Sequence, residues 1–201
     1  MNQEAEILLG VLVTTDSEAM RLRSGDLDAL AVLMDRYQHR LYRYLLRIVT
    51  QQSAAEDLFQ QTWLRVMERI QKYDPERGFE GWLFSVAHNL AIDYLRRRQP
   101  QSLDEPAFSG KRHSELARSE DAGALNWLLS REKTDLVLRA ITDLPPAFRE
   151  VITLRFEEEM KLEEIADTLS VPMGTVKTRL HRALKALKHS LVKLPEIRNA
   201  P

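Results

Sequence analysis

The 201-residue chain contains no cysteine, which removes disulfides, thiolate metal sites and cysteine nucleophiles together. No hydrophobic run in the sequence is long enough to cross a bilayer. The one early apolar stretch, Ile7 to Val13 in "MNQEAEILLGVLV", is too short, and its leading residues are acidic where a secretory leader is basic. The expectation is a cytoplasmic protein with no membrane insertion. An excess of one charge is missing too. With 29 Lys and Arg against 30 Asp and Glu, the formal net charge is −1, so a general nucleic-acid coat is excluded and any DNA contact must come from local patches. Strict alternation of apolar and polar residues is nearly absent. Apolar residues instead recur at helical spacing from Ala29 onward, which predicts an all-α fold.

Glycine and proline are few, 7 and 8, so their clusters act as punctuation. The stretch "RRQPQSLDEPAFSGKRHSE", 97–115, mixes Pro, Ser, Gly and charge without any period and reads as a linker. The chain then divides into an N-terminal segment 1–25, a helical domain 26–98, a linker 99–124 and a second helical domain 125–201, whose first helix begins between Ala122 and Ser130. In the first domain, Gly25 followed by Asp26 reads as a helix stop and a new N-cap, opening a helix through about Ile48. Ser53 and Glu56 stand at capping-box spacing before a helix to about Gln71, and Pro75 and Gly78 precede a third helix from Phe79 to Arg98. In the second domain Pro145 and Pro146 separate two helices.

The stretch "LEEIADTLSVPMGTVKTRLHRAL" places Leu162, Ile165, Ala166 and Leu169 on one face of a short helix, breaks at Ser170 to Pro172, and resumes with Val176, Leu180, Ala183 and Leu187 on one face of a second. This is a helix-turn-helix pattern, with small Ala166 letting the helices cross closely. At 100° per residue, Thr178, His181, Arg182 and Lys185 lie opposite the buried face and Lys177 and Arg179 flank them. A helix entering the major groove needs such an array: base-reading side chains at the centre and cations toward the phosphates. His181 has no second His or carboxylate at ligand spacing, so no metal is expected; nor is a cofactor.

Another motif, "FEGWLFSVAHNLAIDYLRRRQP", narrows the function. Leu83, Val86 and Leu90 form one apolar stripe and Phe84, Ala91 and Leu95 another, while Trp82, Asn89 and Arg96 align between them. Two readings stand for that line: a platform for a single strand, with Trp82 stacking and Arg96 on the backbone, or a core tryptophan followed by a basic helix end, Arg96 to Arg98.

Together "AEDLFQQTW", "FEGWLFSVAHNLAIDYLRRR" and "LEEIADTLSVPMGTVKTRLHRAL", in that order with a polar linker before the last, resemble the extracytoplasmic-function sigma factors of bacterial RNA polymerase over roughly residues 20 to 190. The resemblance implies a transcription initiation factor and not an enzyme, with core RNA polymerase and promoter DNA as partners and an anti-sigma protein as inhibitor. It implies that Asp57, Gln60, Gln61, Trp63 and Met67 face the polymerase. The helical wheel agrees in part: it adds Leu64 to the outer face and turns Trp63 inward. The resemblance further assigns Trp82 and Asn89 to a flipped base of the −10 element, with Arg96, Arg97 and Arg98 on adjoining phosphates; Phe79, which opens the same helix, is grouped with them. For the −35 element it assigns Thr178, His181 and Arg182 to bases and Thr175 and Lys177 to phosphate, beside Arg179 and Lys185 on the same helix. The sequence departs from the family pattern at Ser170, where Gly is usual, at Gln61, where Glu is usual, and at Leu184, where a basic residue is common.

Two rivals are weaker. A stand-alone helix-turn-helix regulator of the response-regulator kind would need an α/β receiver domain, against an all-helical first block. A nucleic-acid enzyme would need a phosphate-binding Gly loop, His or Cys metal-ligand spacing or carboxylates clustered on strand ends, none of which the sequence shows.

Overall fold

Gly25 breaks the chain where the sequence requires it. In the computed structural model, which describes residues 15–98 and 134–192, a first helix α1 (residues 15–23) ends at Gly25 with φ +99°. The Asp26 carboxylate then accepts from the Asp28 N–H at 3.1 Å, at the head of α2 (Asp28–Val49). Along α2, Ala29, Leu33, Tyr37, Leu41, Tyr44, Leu45 and Ile48 repeat at three and four residues and are all buried. Thr50, in the left-handed region at φ +59°, ends the helix.

The helix α3 (Gln52–Arg69) starts otherwise than the sequence predicts. Ser53 lies inside the helix, so no capping box forms. Its hydroxyl accepts from the Gln51 amide at 3.0 Å and Glu56 accepts from Gln52 at 2.9 Å, so each expected capping group is taken by a neighbouring glutamine. The helix gives way at Ile70 to a 3-10 turn, one residue before the predicted end at Gln71. Asp74 then receives the Glu76 N–H at 3.1 Å, Pro75 opens a further 3-10 turn, Gly78 takes φ +69°, and α4 (Phe79–Arg98) has the predicted limits.

The second domain comprises α5 (Thr134–Thr142), α6 (Pro146–Ile152) running into a π turn (Thr153–Glu157), α7 (Leu162–Leu169) and α8 (Met173–Val192). Pro145 and Pro146 divide α5 from α6 as predicted. No strand occurs among the described residues, and the all-α assignment stands. The linker 99–124, the predicted start of the second domain and the apolar stretch 7–13 lie outside the described residues.

The domains do not merely follow one another. α2 and α4 pack on α6, its π turn and α7, so the apolar core runs continuously through both halves. Polar contacts fix that packing. The Tyr44 hydroxyl donates to Glu150 Oε1 at 2.6 Å, and His88 Nδ1 lies 2.6 Å from the same oxygen. Arg149 donates to two carbonyls, Thr142 at 2.7 Å in its own domain and Ile48 at 2.9 Å across the interface. In a low-dielectric junction such groups are worth most when every one is satisfied.

Candidate nucleic-acid and polymerase interfaces

The helix-turn-helix is built by a left-handed residue. α7 closes at Ser170, φ +53°, whose N–H meets the Asp167 carbonyl at 3.2 Å while Val171 N–H meets that of Ala166 at 3.0 Å. The serine standing where the family has glycine therefore adopts the glycine-type conformation. Pro172 then receives the N–H groups of Thr175 and Val176, at 2.8 and 3.2 Å, and α8 begins. Its inner face consists of Val176, Ala183, Leu187 and Leu191. Leu180, expected at the centre of that face, is only half-buried.

Of the residues assigned to the −35 element, Lys177, Thr178, His181 and Lys185 are exposed, and Thr175, Arg179 and Arg182 are half-buried. The Thr178 hydroxyl turns back to the Gly174 carbonyl at 2.8 Å, and Arg179 and Arg182 are already engaged within the chain. One face of α8 thus offers donors and cations, and the main packing of α8 among the described residues is on α5, α6 and α7 of its own domain.

On α4 the −10 assignments separate. Phe79 is 1% exposed and belongs to the core: its ring lies 5.8 Å from Tyr37 and 5.9 Å from Tyr73, and its N–H is held by Asp16 at 2.8 Å. No strand can reach it, and its expected DNA contact is withdrawn. The physical reason is that the first turn of α4 plugs the aromatic gap between α2 and the 73–78 turn. Trp82 is neither fully core nor free. It is half-buried, resting on Tyr73 at 5.4 Å and Phe79 at 5.8 Å, while part of it borders a cavity. Asn89 is exposed and its amide donates to Ser85 O at 2.8 Å. Arg96 pairs with Asp93 at 3.5 Å, Arg97 is exposed, and Arg98 folds over the Tyr94 ring and onto Gln51.

On α3, Asp57, Gln60 and Gln61 are exposed, with Leu64 60% and Met67 44% exposed beside them. Trp63 is 4% exposed, edge-on to Phe59 at 6.4 Å, so the helical wheel located it better than the family pattern. Leu64 and Met67 thus form an exposed apolar pair rimmed by polar groups.

Sequence reasoning passed over a fourth feature. Arg40, Arg43 and Arg47 project from one face of α2 into the acids of the π turn. Arg40 meets Glu158 at 2.7 Å, Arg43 meets Glu157 at 3.0 Å and Glu158 at 3.5 Å, and Arg47 meets Glu157 at 3.0 Å. Burial of the Glu158 side chain holds its carboxyl above the usual range, outweighing the pull of the two arginines. The spacing 40, 43, 47, an arginine on each turn, was the available signal.

A helix-turn-helix behind a first domain of three α-helices, with no strand among the described residues, defines a two-domain protein of the sigma-70 type. Residues 33–101 match the family described as Sigma-70 region 2, and residues 140–189 that described as Sigma-70, region 4. The chain is 32% identical over 179 residues to the ECF RNA polymerase sigma factor SigW of Bacillus subtilis, covering 85% of this chain and 93% of that protein. It is also 32% identical over 174 residues to the ECF RNA polymerase sigma-E factor of Escherichia coli K12, covering 85% and 91%. Among solved structures, CnrH in complex with the cytosolic domain of CnrY superimposes with TM-score 0.62 at 22% identity, over 87% of this chain and 94% of that one. The sigma factor RpoE bound to the anti-sigma factor NepR, from Bartonella quintana, gives 0.60 at 19%, over 80% and 94%. The chain belongs to the extracytoplasmic-function sigma factors, which direct RNA polymerase to promoters.

Proposed function

We propose that this chain docks core RNA polymerase through Asp57, Gln60, Gln61, Leu64 and Met67, reads the −35 duplex with α8, and holds the opened −10 strand with Trp82, Asn89 and the Arg96 to Arg98 end of α4. The observation that carries this is the separation of the sets onto three helices: the α3 set is exposed, the α8 set exposed or half-buried, and on α4 the half-buried Trp82 is followed by exposed Asn89, Arg96, Arg97 and Arg98. On α8, Thr178, His181 and Arg182 address bases, and Thr175, Lys177, Arg179 and Lys185 the flanking phosphates. Chemistry stays with the polymerase, so the chain has no catalytic role of its own, and it acts in the cytoplasm. An inhibitor of the anti-sigma class is a further partner, supported by the company in which CnrH and RpoE were solved.

Reconstitution with sigma-free core polymerase and mapping of transcript starts tests the reading. Arg182→Ala is expected to lose on the order of 1–3 kcal/mol and relax preference at one −35 base pair, whereas Lys177→Ala weakens all promoters alike and lowers the salt slope. Equal, sequence-independent losses from both would refute the assignment of α8.

A further inference from the structure

The arginine row of α2 is satisfied from outside its own domain. Arg40 keeps a partner in the first domain, Glu80, at 2.6 and 3.0 Å, but the ion pairs of Arg43 and Arg47 run to Glu157 and Glu158. The delivery of those acids is unusual. They stand at the end of a π turn, and the next residue, Glu159, takes φ +57°. π turns and left-handed non-glycine residues both concentrate where a chain presents a functional group.

Beside the row opens a cavity of about 630 Å³. Trp82, Arg40, Arg43 and Arg77 border it from the first domain together with Glu80, and Glu164 and Asp167 face them from the second beside Lys161. An aromatic face next to arginines is how single-stranded nucleic acid is held, by stacking and by backbone charge. The opposing carboxylates repel phosphate, so the closed cleft excludes a strand. The acids occupy the guanidinium edges that a phosphodiester would use, since Arg offers the same planar donors to carboxylate and phosphate.

We propose that Arg40, Arg43 and Arg47 form a phosphate track for the promoter strand beside Trp82, and that Glu157 and Glu158 occupy it in the closed chain in place of phosphates. The inference deepens, and rests on, the reading of α4 as the strand-holding helix. Opening of the two domains exchanges carboxylate for phosphodiester on Arg43 and Arg47 and on the Nε edge of Arg40, whose terminal nitrogens stay with Glu80. Single-stranded and duplex DNA share that chemistry, and the strand is favoured because the track adjoins an aromatic face.

The experiment uses the full chain and a labelled mixed-sequence oligonucleotide of about 20 nucleotides, single- or double-stranded, with binding read by anisotropy. Interdomain distance is followed by fluorescence energy transfer. Glu157→Gln with Glu158→Gln is expected to open the domains and tighten single-strand binding by about tenfold, the gain that follows if the open form is about a tenth of the wild-type population. Arg43→Gln with Arg47→Gln breaks three of the four ion pairs to Glu157 and Glu158, leaving Arg40 on Glu158, and even where energy transfer shows its domains open it binds no tighter than wild type. Its log–log salt slope is shallower than that of the acid variant by about 1.4, at 0.7 for each of two lost phosphates. A purely structural interface predicts the same gain from both pairs, and that result overturns the proposal; so does a gain confined to duplex. Because Glu158 is buried, Glu157→Gln alone provides a milder variant with a smaller gain of the same sign. Adding Trp82→Ala to the acid variant separates the two readings. If the gain persists undiminished, the track stands and the stacking role of Trp82 falls. If acid and arginine pairs gain alike while Trp82→Ala abolishes binding, the track falls and the platform stands.

Discussion

Arg149 joins the carboxyl ends of two helices, and its removal should show how much the junction between the domains contributes. The guanidinium donates at 2.7 Å to Thr142 O, the last residue of α5, and at 2.9 Å to Ile48 O, in the last turn of α2. Both carbonyls are orphans of a helix end, where a cation is also favoured by the macrodipole. Two charge-assisted hydrogen bonds would be worth roughly 3–6 kcal/mol gross, at about 1.5–3 each. Part of that is offset: burial holds the arginine's pKa down from its usual value, and its buried Nε has no hydrogen-bond partner. Arg149→Met keeps the length and apolar contact while removing charge and donors, so the net loss should be about 2–4 kcal/mol. With an m-value of about 1.5 kcal/mol/M in urea, the unfolding midpoint followed by circular dichroism should fall by roughly 1.5–2.5 M. Arg149→Lys should recover about half, because an ammonium can serve one carbonyl well but not both at that separation. A loss below about 1 kcal/mol for the methionine variant, or full recovery by lysine, would refute the two-carbonyl account.

Leu64→Asp on α3 should leave the circular dichroism melt within about 0.5 kcal/mol of wild type, as exposed substitutions do. It should weaken polymerase binding by on the order of a hundredfold, from roughly 1–2 kcal/mol of unrealised leucine burial plus the desolvation of a carboxylate; unchanged affinity in a labelled-subunit titration would remove this face from the docking surface. Ser170→Gly should raise the stability of the second domain by about 0.5–1 kcal/mol, relief of a left-handed non-glycine residue less the entropy glycine brings to the unfolded chain, and a destabilised variant would contradict it. Glu158 carries a pH signature: its folded-state pKa lies above the ordinary 4.5, so its contribution is fully present below that value and lost as pH rises through the folded one. The stability of wild type minus that of Glu158→Gln should therefore fall as pH rises above about 4.5, and a difference that grows with pH would reverse the assignment.

What was legible in the sequence is what local chemistry decides. Gly25, Gly78 and the Pro145–Pro146 pair locate breaks because glycine and proline act on their own backbone, and of the two apolar stripes read on α4, Leu83, Val86, Phe84 and Ala91 are buried while Leu90 and Leu95 toward its end are half-buried. The failures share a cause. Ser53 was denied its cap by the side chains of Gln51 and Gln52, Phe79 was drawn into a cluster with Tyr37 from α2 and Tyr73 from the preceding turn, and neither competition can be seen in a one-dimensional pattern. Tyr44, His88 and Glu150, which are 62 to 106 residues apart where they meet, gave no local sign of their partnership. The arginines at 40, 43 and 47 did show a period, but a charged stripe on a helix usually means a solvated face, and only the docked second domain shows that it is covered.

The closed arrangement also orders events. The α3 face with Leu64 and Met67 and the α8 face with Lys177 and His181 are accessible while the cleft beside Trp82 faces the acids of the second domain. Under the proposed assignments, the surfaces for polymerase and duplex are open in the closed chain, whereas the one for an unpaired strand is not. Any ligand shifts an equilibrium only by its differential affinity for the two forms. Polymerase docking opens the domains only if the polymerase holds them at a separation that the ion pairs between α2 and the π turn cannot span. Strand binding then favours the open form directly, because strand and acids require the same arginines. On this account the interdomain ion pairs act against premature strand capture by free protein, and they are lost at the stage when a separated strand first becomes available.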